Sequence, residues 1–298
     1  MELWEQMVEF GKSWFYYPGL EWHLMLIAFG LALAFGAVWL LAHWPPLFKN
    51  RWLWVVGIFS AFFTLAAIIF IQIPLQYGIN KGINAVFDSQ TVQSWLLLIG
   101  LPLVLASGFV QEAAKIVPII FWKRRAGGIS PLMGMAIGAL AGAGFGIFEA
   151  FYGIGSTLNA GWTTAAIQSD GFIGISPFWE RFFTVAFHIS VSAIAGYGVA
   201  RGKAVMFYVI AALLHSLVNY SSIIYQYWFI STGGIFGGGH IAIVEMETYI
   251  AVIAVLVTGV AMLLRWSRRF HYPEEFLVDS PLETVATEAS GESPAPTE

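Results

Sequence analysis

The chain has 298 residues, of which 58% are hydrophobic and only 11% charged, with a formal net charge of −4 at pH 7. Soluble domains average about 25% charged residues, so this balance excludes a water-soluble globular protein and makes the bilayer the solvent. Cysteine is absent, which excludes disulfide frameworks, cysteine-ligated metals and thiol nucleophiles and leaves His, carboxylate or amide groups to hold any metal.

The first 21 residues carry Glu2, Glu5 and Glu9 and lack the basic start, apolar run and cleavage site of a signal peptide. They read as an outer interfacial segment ahead of a retained first span. Apolar runs of the roughly 20 residues needed to cross a bilayer then follow at about Trp22–Trp44, Trp52–Leu75, Trp95–Trp122, Leu132–Ser156, Phe178–Ala200, Ala204–Ile230 and Ile241–Trp266. Pro102 and Pro118 are candidate breaks in the third span. In the fourth, glycine recurs at Gly134, Gly138, Gly142 and Gly146, a spacing that puts a smooth groove on one helix face for close approach by a neighbour.

The connections alternate in charge. Those containing Lys49 and Arg51, Lys123 to Arg125, and Arg201 and Lys203, together with Arg265, Arg268 and Arg269, hold most of the 14 Lys and Arg residues and belong on the cytoplasmic side. Gln76–Ser94, Thr157–Pro177 and Ser231–His240 are Gly-rich, nearly uncharged and read as outer loops. The predicted fold is an all-α polytopic membrane helical bundle of about seven transmembrane helices, N-terminus outside and C-terminus cytoplasmic, in a prokaryotic plasma membrane. Residues 22–270 form the membrane domain, with a core at 95–230. Residues 271–298 are acidic and rich in Pro, Ser and Thr, the composition of a disordered tail.

An ionisable side chain inside a span costs on the order of 2.5–3.5 kcal/mol on insertion, which makes each one a functional candidate. Glu112 and Lys115 lie in the third span, Glu149 in the fourth, Arg181 and His188 in the fifth and His215 in the sixth, with Asn219 one turn beyond His215. Counted from the cytoplasmic ends, Glu112, His188 and His215 stand 11, 13 and 12 residues in, a common depth of roughly 16–20 Å. Glu149 and Asn219, at 17 and 16 residues, form a second layer about one turn outward. Glu112 and Lys115, three apart, also read as a self-neutralising pair. Arg181 either pairs with a carboxylate or marks the interface.

Two imidazoles and a carboxylate suit a divalent metal, Zn²⁺ first among them, with one position left for water. A further carboxylate would serve as base, and an Asn amide as oxyanion donor. The chemistry this implies is amide hydrolysis within the membrane.

Gln111-Glu112-Ala113-Ala114-Lys115 resembles the Glu-Glu-x-x-Lys motif of PrsW-type intramembrane proteases, relatives of the CAAX prenyl endopeptidases and bacteriocin-processing membrane proteases. The stretch from Gly142-Ala143-Gly144-Phe145 to Glu149 and Tyr152 is similar to the second motif of that family, Arg181, His188 and Gly196-Tyr197 to the third, and His215 to Asn219 to the fourth. The resemblance implies an intramembrane metalloprotease acting on membrane-embedded protein or peptide substrates, with the lipid bilayer and no nucleic acid as partner. On this resemblance His188, His215 and Glu149 are metal ligands; Glu112, Glu149 and Asn219 are catalytic; and Gln111, Lys115 and Arg181 are supporting. Two positions depart from the pattern: Gln111 stands where the family has its first Glu, and Ala150 replaces the Asn after Glu149. Because Gln accepts no proton at neutral pH, a pseudoprotease or membrane scaffold is the alternative reading, and a proton-coupled transporter the second alternative.

Overall fold

The structure is a computed structural model that describes residues 2–231 and 239–271. The expected tail, at residues 272–298, and most of the expected outer loop from Ser231 to His240 lie outside the described residues. Among the described residues every regular element is helical: α1 (Leu3–Ser13), α2 (Trp22–His43), α3 (Trp52–Ala67), α4 (Ile73–Val86), α5 (Ser89–Ser94), α6 (Leu96–Ile99), α7 (Leu101–Arg125), α8 (Pro131–Asn159), α9 (Ala165–Asp170), α10 (Ser176–Ala200), α11 (Ala204–Ser231) and α12 (Gly239–His271). Seven helical runs among the described residues are long and apolar enough to span a bilayer.

Local chemistry sets several boundaries. Ser130 caps α8 by accepting from Met133 N–H at 3.1 Å, and Pro131 follows in the first turn, where its missing donor is harmless. Gly127 and Gly202, with φ of 66° and 75°, turn the chain after α7 and α10. Trp14, only 2% exposed, stacks on Tyr152 of α8 with ring centroids 4.7 Å apart. The segment after α1 is thereby fixed against the bundle.

Two expectations about the connections and one about the third span are corrected. The outer loop at Gln76–Ser94 is mostly helix, because a π turn at Ile68–Gln72 carries α3 into α4 without interruption. Ile79, Ile83 and Val86 prolong a helically spaced apolar stripe, and the Lys81 ammonium lies 4.8 Å from the centroid of the Tyr77 ring one turn before it. At Thr157–Pro177, α8 runs on to Asn159 and α9 with a 3₁₀ turn (Gly171–Ile175) precedes α10, held by Trp162 Nε1 donating to Gly174 O at 2.7 Å. Pro118 leaves α7 continuous; the break falls at Gly100, just before Pro102.

α8 and α10 form the centre. In its most apolar window the run Ala165–Ala200 is 89% buried and Pro131–Asn159 72%, against 17% for α2 at the periphery. The glycine groove of α8 is what α10 fills: a methyl group at Gly134, Gly138 or Gly142 would strike the carbonyl of Gly196, Ser192 or His188 in turn. α7 and α11 meet in the same way at Gly108, where a methyl group would strike Ala212 O and Ser216.

Candidate metal centre and its cavity

Both close approaches lie beside the ionisable residues. Gly108 brings α7 against Ser216, so Glu112, one turn on, faces His215, the neighbour of Ser216. Gly142 brings α8 against the backbone of His188, and Glu149, about two turns further, meets the imidazole of that residue. Small residues thus replace a helix–helix gap with backbone contact and fix the rotation that a depth count leaves open.

Glu112, His188 and His215 each offer a ligand atom within 4.8 Å of the others, and all three are at most 3% exposed. His215 Nδ1 lies 2.6 Å from Glu112 Oε1. A carboxylate only accepts, so Nδ1 carries the proton and Nε2 the lone pair. The imidazole rings of His188 and His215 approach with centroids 5.0 Å apart. This donor set, two imidazoles and a carboxylate from three helices, fits a divalent ion of the zinc type by its chemistry.

Lys115 is 1% exposed and contacts both the Glu112 carboxylate and His188 Nδ1, the latter at 3.0 Å. An ammonium has no acceptor. His188 Nδ1 is therefore the unprotonated nitrogen, and Nε2–H donates to Glu149 Oε2 at 2.9 Å. Glu149 thus orients His188 from the side opposite Lys115, the arrangement that fixes tautomer and ring position in carboxylate–histidine–metal triads.

Glu149 is itself held by Arg181, with Nη1 3.8 Å from Oε2. The main partner of Arg181, however, is its neighbour Glu180, through two hydrogen bonds. Asn219, expected in a layer with Glu149, lines the same cavity and donates from Nδ2 to Ser107 Oγ at 2.9 Å. Gln111 points its amide at other partners than the three donors: Nε2 lies 3.0 Å from Gln72 Oε1 and 3.1 Å from Ser107 Oγ. Gln72 reaches it from the π turn, a distortion frequent at functional sites.

A cavity of about 320 Å³ opens onto this cluster, lined by Glu149, Glu180, Arg181, His188, His215 and Asn219, with Thr184, Ser221, Ser222 and several apolar residues completing its wall. The Glu149 side chain is 24% exposed, whereas that of Glu112 is 2% exposed. Glu112 is thus the deep anion and Glu149 the one that meets solvent. Glu180, Ser107 and Gln72 escaped the sequence reading. Glu180 adjoins an arginine near a span end and could have been singled out as an acid in an apolar run; a serine and a glutamine carry no such signal.

Among known proteins, the family described as PrsW family intramembrane metalloprotease matches residues 49–260. No curated protein and no solved structure matches the chain.

Proposed function

The chain belongs to the PrsW family of intramembrane metalloproteases, and from that premise we propose that it hydrolyses peptide bonds of membrane-embedded protein or peptide substrates, using a zinc ion held by Glu112, His188 and His215. The observation that carries this reading is the convergence, inside a membrane-spanning bundle, of those three buried donors, two of which, His188 and His215, line a cavity. When bound, such an ion polarises a carbonyl and lowers the pKa of water towards neutrality.

The remaining work falls to side chains around the cavity. Glu149, the solvent-facing carboxylate, takes the proton of the attacking water and returns it to the leaving amine. It also keeps His188 in the tautomer described above. Asn219 gives one N–H to Ser107 and has a second for the developing oxyanion. Arg181, bound to Glu180, holds Glu149 in register. Gln111, whose Nε2 donates to Gln72 and Ser107, has no part in this set, and Glu149 is the proposed base in place of the first Glu of the family motif. The distribution of Lys and Arg supports insertion in a plasma membrane with the N-terminus outside.

The decisive experiment uses the full chain in liposomes with a membrane-spanning substrate. Cleavage is expected to stop in a zinc chelator and to return on adding zinc, and His188→Ala is expected to lose both zinc and cleavage. Undiminished cleavage in chelator, with no metal in the purified protein, would overturn the proposal. Arg181→Met is expected to keep its zinc while cleaving about 10–100-fold more slowly, the usual cost of losing a group that orients a functional side chain. A wild-type rate in that variant would remove Arg181 from the machinery.

A further inference from the structure

We infer that the Lys115 ammonium is a tethered cation that shares the Glu112, His188 and His215 donor set and has to leave it when a divalent ion binds, so that this lysine sets the metal affinity of the site. The inference rests on reading that set as the metal centre. A structural pair with Glu112 would need only the contact between positions three apart on α7. Lys115 does more: its Nζ also lies 3.0 Å from His188 Nδ1, on a different helix. One ammonium therefore engages two of the three donors, and it does so at 1% exposure, where no water screens it.

A monocation and a dication cannot share these donors, since like charges a few ångströms apart in a protein interior repel strongly. The lone pair of His188 that would face an ion is the one now facing the ammonium. The ring of Phe145, fully buried, has its centroid 5.7 Å from Nζ, and an aromatic face attracts an ammonium. In its one placement the ammonium is therefore held by Glu112, by His188 and over the face of Phe145 together. In the metal-free protein this placement neutralises Glu112, a buried carboxylate that would be costly without a partner. The bundle can then fold before it acquires metal, and the affinity for metal is held down by the exchange.

The test is the zinc affinity of the full-length protein in detergent, measured by competition with a chromophoric chelator. Lys115→Met is expected to bind zinc about tenfold tighter or more and, without zinc, to unfold at a lower temperature than wild type, a deficit that zinc repairs. Equal or weaker zinc binding by Lys115→Met overturns the inference. If that variant does not fold, Lys115→Gln, which keeps a hydrogen-bond donor and removes the charge, has to show the same tightening, and its failure to do so overturns the inference as well. His215→Ala separates this idea from its premise. Zinc binding that survives His215→Ala removes the metal-centre reading and the inference with it. Binding lost in His215→Ala but equal in wild type and Lys115→Met removes only the role of Lys115.

Discussion

Replacing Glu149 by Gln is expected to slow cleavage by about 10²–10⁴-fold, the range for losing a general base, while the protein keeps its zinc. The two carboxylates of the cluster differ in surroundings, and the difference assigns their tasks. Glu149 is 24% exposed at the cavity wall and Glu112 2% exposed beneath it. Gln at position 149 has nearly the same shape, and its oxygen still accepts from His188 Nε2–H, so the imidazole stays in place. What disappears is the ability to take a proton. Glu112→Gln should behave differently. It leaves the Lys115 ammonium buried without its carboxylate partner, a change that destabilises by about 3–5 kcal/mol, and it removes the anionic donor. Zinc content and folding yield should both fall. Turnover and zinc per protein, measured on the same preparations in liposomes, separate the two. If Glu149→Gln loses zinc and Glu112→Gln retains it, the assignments are exchanged.

Depth along a helix axis is a quantity that sequence carries, and it placed Glu112, His188 and His215 at one level; their ligand atoms lie within 4.8 Å of one another. Rotation about the axis is not carried in the same way. The Gly134 to Gly146 series announced a close contact without naming its partner, and α10 as that partner is what turns His188 towards Glu149. Depth also grouped Glu149 with Asn219, and both line one cavity, but it could not give their hydrogen-bond partners, which are His188 and Ser107. The π turn was equally hidden, since Ile68–Gln72 has the composition of the helix around it, and with it went the pairing of Gln72 with Gln111. The glycine-rich, nearly uncharged composition of Gln76–Ser94 also misled. Gly78 and Gly82 are loop signals that the apolar spacing of α4 overrides.

The second large effect is expected at a residue with no side chain of its own. Gly142→Ala adds one methyl group where α8 touches the His188 carbonyl, and that backbone contact has no flexible side chain to yield. The helices must separate locally, at about 1–3 kcal/mol for overpacking of this kind, and His188 moves with its backbone away from Glu112 and Glu149. A displacement of about 1 Å at a reacting centre costs on the order of 10²-fold in rate, so cleavage should fall by that factor and zinc should bind more weakly. Gly134→Ala supplies the comparison, because it forces the same kind of clash, against Gly196 O, about 12 Å further along α8. Its unfolding temperature should drop about as much as that of Gly142→Ala, but its zinc affinity should stay near wild type. Equal loss of zinc in both variants would mean that the bundle loosens as a whole, and that the contact at Gly142 has no special hold on His188. Loss confined to Gly142→Ala would make the glycine groove part of the site, since the imidazole is positioned by the absence of a side chain on the helix opposite.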